Sequence, residues 1–259
     1  MNTNIPLGEI TQTSYNFGLV ALSYIIAVIG SFVALTAAQR IQKKGQMHML
    51  NLIAASVSLG GIGVWSMHFT GMLALNLGMG SGYSAFETVV SLLAAVIATG
   101  MALAFVAKNP NDHARLLTAG GLLGLGIAFM HYLGMFGLRF PGYITWDWSI
   151  IALSVVIAIV AASVALWLAF RSASVALRGV ASSLMGVAVC AMHYTAMEAA
   201  DFVCTAPTTE RFATPLGFGV ISSLDLPMVA GMAAISMAAL IGYDQLIQRT
   251  QESNATVRA

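Results

Sequence analysis

Met192-His193-Tyr194-Thr195-Ala196-Met197 closes an apolar run that begins at Val175. The same ending occurs twice earlier, as Met67-His68-Phe69-Thr70-Gly71-Met72 and Met130-His131-Tyr132-Leu133-Gly134-Met135. The three histidines stand 63 and then 62 residues apart, and each follows a glycine by seven positions: Gly61, Gly124 and Gly186. Self-similarity at a fixed period means a repeated structural unit. The motifs end the second, fourth and sixth of seven apolar blocks, so the unit is a two-helix hairpin. The blocks run from Tyr15 to Ala38, Met49 to Leu73, Phe86 to Ala107, Leu116 to Leu138, Ser149 to Phe170, Val175 to Met197 and Leu226 to Ile247. Each has about 20 residues, the length that roughly 30 Å of hydrocarbon demands of a helix.

Composition agrees with lipid as the solvent. Of 259 residues, 58% are hydrophobic and 8% charged, whereas a soluble domain carries about 25% charged residues; the mean hydropathy is +0.84. A soluble enzyme is excluded. Eleven basic and 10 acidic residues leave a net charge of +1, which offers nucleic acid no basic stripe. Cys190 and Cys204 are the only cysteines, too few for a disulfide framework or a paired-cysteine zinc site. The first fourteen residues hold no Lys or Arg, so the first block reads as a retained helix and not as a cleaved signal.

Alternate connections carry nearly all the basic residues. Arg40, Lys43, Lys44, Lys108, Arg115, Arg171, Arg178, Arg249 and Arg258 fall on one side, and Arg139 and Arg211 on the other. Lys and Arg near helix ends are retained in the cytoplasm, which places the N-terminus outside and the C-terminus inside. Tyr83, Tyr143, Trp146 and Trp148 are then expected in an interfacial aromatic belt. The expected fold is an all-α integral membrane protein of seven transmembrane helices: three parallel two-helix repeats about an axis along the membrane normal, plus a seventh helix. The membrane domain covers residues 1–247, and 248–259 form a cytoplasmic tail. No Gly or Pro interrupts Tyr243 through Glu252, so helix seven is expected to continue beyond the membrane.

Three outward-running helices would bring His68, His131 and His193 together near the outer face. Residues at i and i+4 share a helix face, so each histidine has a thioether one turn further out, at Met72, Met135 and Met197. Met67, Met130 and Met192 precede the histidines directly. Imidazole suits several transition metals and thioether selects Cu(I), so this donor set favours copper over zinc. A single His-Tyr pair at a helix end reads as interfacial snorkeling, and a single buried methionine as packing. Threefold recurrence at one phase removes most of the weight from both readings. Cys190, His48 and His113 lack the repeat and read as a small apolar residue and two surface histidines; Gly120 and Gly124 read as a close helix approach.

On these motifs the chain resembles the MHYT family of bacterial integral membrane sensor domains, named for the tetrapeptide present here as Met192-His193-Tyr194-Thr195. Phe69 and Leu133 depart from that tetrapeptide, so a phenol hydroxyl is not required at every site. The resemblance covers almost the whole chain. It implies copper bound by Met67, His68, Met130, His131, Met192 and His193, less firmly by Met72, Met135 and Met197, and sensing of oxygen, carbon monoxide or nitric oxide. It also implies relay to a cytoplasmic cyclic di-GMP domain or protein outside this chain, whose own residues are expected to carry no catalysis. The bilayer, a diatomic gas, an output domain and a second copy of the chain are the candidate partners. Three other readings stay open: a copper transporter or channel, a haem protein with two axial histidines, and a copper oxidoreductase.

Overall fold

The computed structural model describes residues 8–43, 46–172, 174–207, 210–213, 215 and 217–258, with side chains for all of these except 43 and 252–258. Lys44 and the terminal Ala259 lie outside the described residues, as does the side chain of Arg258. Among the described residues, seven helices are long and apolar enough to cross a membrane: α1 Phe17–Ala38, α2 Met49–Ala74, α3 Ala85–Ala107, α4 His113–Phe136, α5 Trp148–Arg171, α6 Val175–Met197 and α7, whose apolar span lies within Asp225–Arg258. These match the seven expected blocks, with ends displaced by capping chemistry. Asn16, Asp112, Asp147 and Ser174 each accept first-turn N–H groups at the starts of α1, α4, α5 and α6, satisfying donors that a helix start leaves unpaired. Helix α4 therefore begins at His113, three residues before the expected Leu116, and His113 is an exposed first-turn residue. Helix α7 continues through the polar stretch to Arg258.

Each of the first six helices packs on its neighbours in sequence, and α6 packs on α1; α7 lies against α1 and α2. Helix α2 is consequently the most enclosed span, with 72% of its apolar window buried. Within it, Val57–Ser66 is π-helical. Glycines let the neighbouring backbones come close there: a Cβ on Gly60 would stand 2.6 Å from the Ala95 carbonyl oxygen, and one on Gly30 would stand 2.6 Å from the Gly63 Cα. The Ser66 hydroxyl donates to the Gly61 carbonyl at 3.0 Å, five residues back, as the wider turn requires. Trp65 Nε1 donates to the Thr88 carbonyl at 3.2 Å and the Ser91 hydroxyl at 3.0 Å, tying α2 to α3. Gly120 and Gly124 do serve close approach: Cβ atoms there would meet the backbone of Ser163 and Ile159 on α5.

These contacts make a direct prediction. Gly30→Ala forces α1 away from α2 backbone that cannot yield as a flexible side chain would, and overpacking of this kind costs about 1–3 kcal/mol. A lower thermal unfolding midpoint is the expected result in detergent, and an unchanged midpoint would show that the two helices separate freely.

Several connections carry β-strands. At the motif end of the bundle, Ser14–Tyr15 pairs with Leu75–Asn76, Gly82–Ser84 pairs with both Leu138–Arg139 and Val220–Ser222, and Gly142–Trp146 pairs with Ala200–Cys204, all antiparallel. Two residues expected at the water interface are instead buried at this end. Tyr83 is 1% exposed and packs edge-on against Phe69, and burial pushes its phenol pKa above the ordinary value. Arg211 is also 1% exposed, and its carbonyl accepts the Gly80 N–H at 2.9 Å. Tyr143 and Trp148 are exposed as expected.

Candidate metal centre

His68, His131 and His193 stand near the ends of α2, α4 and α6, and the three imidazoles meet inside the bundle. The Nδ1 atoms of His68 and His193 are 3.2 Å apart, and those of His193 and His131 are 3.3 Å apart. Each histidine offers a ring nitrogen within 4.8 Å of the other two, and all three are buried. The rings pack edge to face, with centroids 4.8 to 5.1 Å apart. Among the described residues no cysteine or carboxylate joins this group.

Glycines set the ring positions. A Cβ on Gly71 of the first motif would collide with Nε2 of His193, and one on Gly134 of the second motif would stand 2.5 Å from Nε2 of His68. The glycine three residues after one histidine thus cradles the ring of another, and Ala196 takes that place in the third motif. The aromatic residue after each histidine holds the outer edge of its ring. Phe69, Tyr132 and Tyr194 lie edge-on to His68, His131 and His193, with centroids 4.7 to 5.0 Å apart. Tyr132 shares a 2.7 Å hydrogen bond with Ser154 of α5, and Tyr194 a 3.0 Å one with Ser23 of α1. Phe69 has no hydroxyl and packs between Trp65 and Tyr83 instead.

Hydrogen bonding alone leaves this group unsatisfied. A neutral imidazole has one donor and one acceptor nitrogen, yet Nε2 of all three rings is buried without a partner, and the Nδ1 atoms face one another. With the ring protons on Nε2, the Nδ1 lone pairs face one another at 3.2 and 3.3 Å, a costly arrangement that a cation between them relieves. The spacing fits such an ion. Nitrogens about 2.0–2.1 Å from a common metal, the usual imidazole distance, stand roughly 3.3–3.6 Å apart, close to the two observed separations.

All six motif methionines are buried, in different surroundings. Met67 packs with Ile26, Ala27, Ala234 and Ala238, facing α1 and α7. Met192 packs with Ala128 and Ala158, facing α4 and α5. Met72 lines a cavity of about 310 Å³ at the motif end that also touches Met79, Asn16 and Asn76, while Met130, Met135 and Met197 belong to the main core. Cys190 is free and half-buried beside the Met67 cluster. Sequence reasoning missed the cradling by Gly71 and Gly134, although a glycine at one fixed offset from two of the three histidines was its visible signal.

A family model described as MHYT, bacterial signalling protein N terminal repeat, matches residues 4–50, 61–119, 124–182 and 186–224. Its last three copies open on Gly61, Gly124 and Gly186, the glycines seven residues before the histidines. The chain is 41% identical over 196 residues to the bifunctional diguanylate cyclase/cyclic di-GMP phosphodiesterase MucR of Pseudomonas aeruginosa, covering 73% of this chain and 28% of that protein. It is 34% identical over 199 residues to the signaling protein YkoW of Bacillus subtilis, covering 74% and 25%. To the cyclic di-GMP phosphodiesterase NbdA of Pseudomonas aeruginosa it is 33% identical over 238 residues, covering 87% and 29%. The chain therefore spans less than a third of the length of these relatives. No solved structure matches it.

Proposed function

The chain belongs to the MHYT family, the multi-pass membrane sensor domains of bacterial signalling proteins, and we propose that it holds copper as Cu(I) among His68, His131 and His193 and reports a diatomic gas or the copper redox state to a cytoplasmic output. The observation that carries this reading is the convergence of three buried Nδ1 atoms with no carboxylate among them. A neutral donor set leaves a bound ion's charge uncompensated, and burying uncompensated charge is expensive. A monovalent ion suffers less than a divalent one. The motif methionines Met67, Met72, Met130, Met135, Met192 and Met197 complete the proposal as soft donors or as the polarizable wall of the site, since thioether selects Cu(I). When bound, copper would supply a centre able to take a small ligand or change oxidation state; the protein's part is to hold the rings in place and exclude water.

The observed packing weighs against a haem with two axial histidines, which must stand on opposite sides of the porphyrin, because these rings are already in contact. An alternating-access carrier would place its site near the midplane on broken helices, whereas these histidines lie at helix ends. A copper oxidoreductase differs from a sensor in turnover alone. Elemental analysis with an optical spectrum of the detergent-purified protein tests the reading. Copper without a Soret band is expected; a Soret band, zinc in place of copper, or no bound metal after copper loading would refute it.

Membership, the full span count and the basic bias support 1–247 as the sensor domain, with its N-terminus outside and 248–259 on the cytoplasmic side. In this orientation a cysteine at Ser81 should react with an impermeant thiol reagent on intact cells, in a background without Cys190 and Cys204, and one at Gln42 should not. The reverse pattern would put the histidines at the cytoplasmic end. Relay to the output is assigned to α7. Its Ala234 and Ala238 pack with Met67 beside the first histidine, and its Gln245 bonds Arg40 and Asn51 at 2.8 and 3.0 Å near the other end.

A further inference from the structure

Val64, Ile127 and Val189 each stand four residues before a motif histidine, on α2, α4 and α6, and all three line one cavity. Four residues are about one helical turn, so the cavity lies one turn from the histidine cluster, toward the basic end of the bundle. The next layer follows the same rule. Leu123 and Met185 line the cavity eight residues before His131 and His193, and Leu59 does so nine residues before His68. The extra residue in the first count falls within the π-helical stretch Val57–Ser66, whose turns take up one more residue per hydrogen bond than α turns. That irregular stretch brings the first repeat into register with the other two around a shared space. Ala161 and Ala162 of α5 close the remaining side.

The lining is made only of Leu, Ile, Val, Ala and Met. A buried water needs two to four polar partners, and these side chains provide none. The cavity volume is about 30 Å³, roughly twice the 10–15 Å³ that one water requires by the same measure. The space therefore suits an apolar occupant of about two heavy atoms. Access is from the side: Ile127 on α4, Ala161 on α5, and Ala188 and Val189 on α6 are half-buried while the other lining residues are buried, and three of these four flank the seam between α5 and α6 at membrane depth. The polar cavity beside Met72 suits an ion arriving from water, and this one suits a neutral molecule dissolved in hydrocarbon.

We propose that this cavity is a docking site for an apolar molecule of diatomic size, loaded from the bilayer between α5 and α6 and held one turn from the histidine nitrogens. The proposal deepens the sensor reading and rests on it only for the identity of the natural occupant. Xenon is the probe. Xenon-129 NMR of the metal-free wild-type protein in nanodiscs is expected to show a saturable bound population. Ala161→Ile and Ala188→Leu should abolish it by filling the space, and Val189→Ala should enlarge it; Ala188→Leu and Val189→Ala carry the test if Ala161→Ile does not fold. No saturable xenon in folded wild type, or the same xenon response in filled and enlarged variants, overturns the docking site. Carbon monoxide association with copper-loaded protein should slow several-fold in the filled variants, and an unchanged rate overturns the lateral route. Xenon uptake intact but no carbon monoxide binding by copper-loaded wild type supports the docking site while refuting gas sensing.

Discussion

His193→Ala is expected to lower copper affinity on the order of 100-fold or more, since even groups that only support a ligand are commonly worth about 10–100-fold. Among the three histidines its effect should be the largest, because its Nδ1 is the atom within 3.3 Å of both others. His68→Ala and His131→Ala should follow closely. A double replacement should cost less than the sum of its singles, as ligands of one shared ion do not act independently. Competitive titration against a Cu(I) chelator reads this directly. Full additivity would mean separate sites, and full retention in one single variant would exclude that histidine. Leucine in place of each motif methionine keeps approximate volume while removing sulfur, so a loss of copper preference over zinc in those variants assigns ligation, and an unchanged preference assigns packing.

Gly71→Ala is expected to lower copper affinity by about 10–100-fold, the usual range for a change that only misplaces a ligand. The added methyl would occupy the position of the His193 ring. The sign is diagnostic, because alanine in a helix is otherwise favoured over glycine by about 1 kcal/mol. Gly134→Ala should act in the same way through His68, where the clearance from a Cβ to Nε2 is 2.5 Å. Gly121→Ala, on the same helix as Gly134 with nothing within 4 Å of its Cβ position, is the matched control and should leave affinity unchanged. Loss of copper in the Gly121 variant would mean that helix propensity, and not the cradle, governs the site.

The parts of this molecule that were legible in sequence share one physical property: they are set by a residue's own chemistry or by short-range periodicity. Seven spans follow from hydropathy because lipid tolerates little else across its core. The histidines could be grouped because three copies of one phase on three equivalent helices must present them alike. The rest depends on long-range contacts. Nothing local marks Tyr83 or Arg211 as buried; Tyr83 lies in a strand paired on both sides by strands from distant connections, and the Arg211 carbonyl accepts the N–H of the distant Gly80. The π-helical stretch has glycines as its only signal, and glycines serve ordinary close packing equally well. Which imidazole nitrogen faces inward was decided by Gly71 and Gly134, since an absent Cβ is what lets Nε2 of a neighbouring ring settle against another helix. The mismatch between nine and eight residues in the layer beneath the histidines was present in the sequence from the start, but it has meaning only once the π turns are known.

X-ray absorption at the copper edge of the Cu(I)-loaded protein is the most direct measurement of whether His68, His131 and His193 hold one ion. The predicted spectrum has imidazole nitrogens at about 2.0 Å with the multiple scattering of ordered rings, at a stoichiometry of one copper per chain, and it loses that scattering in His193→Ala. A first shell of sulfur alone, or an imidazole signal that survives His193→Ala undiminished, would contradict a shared three-histidine centre.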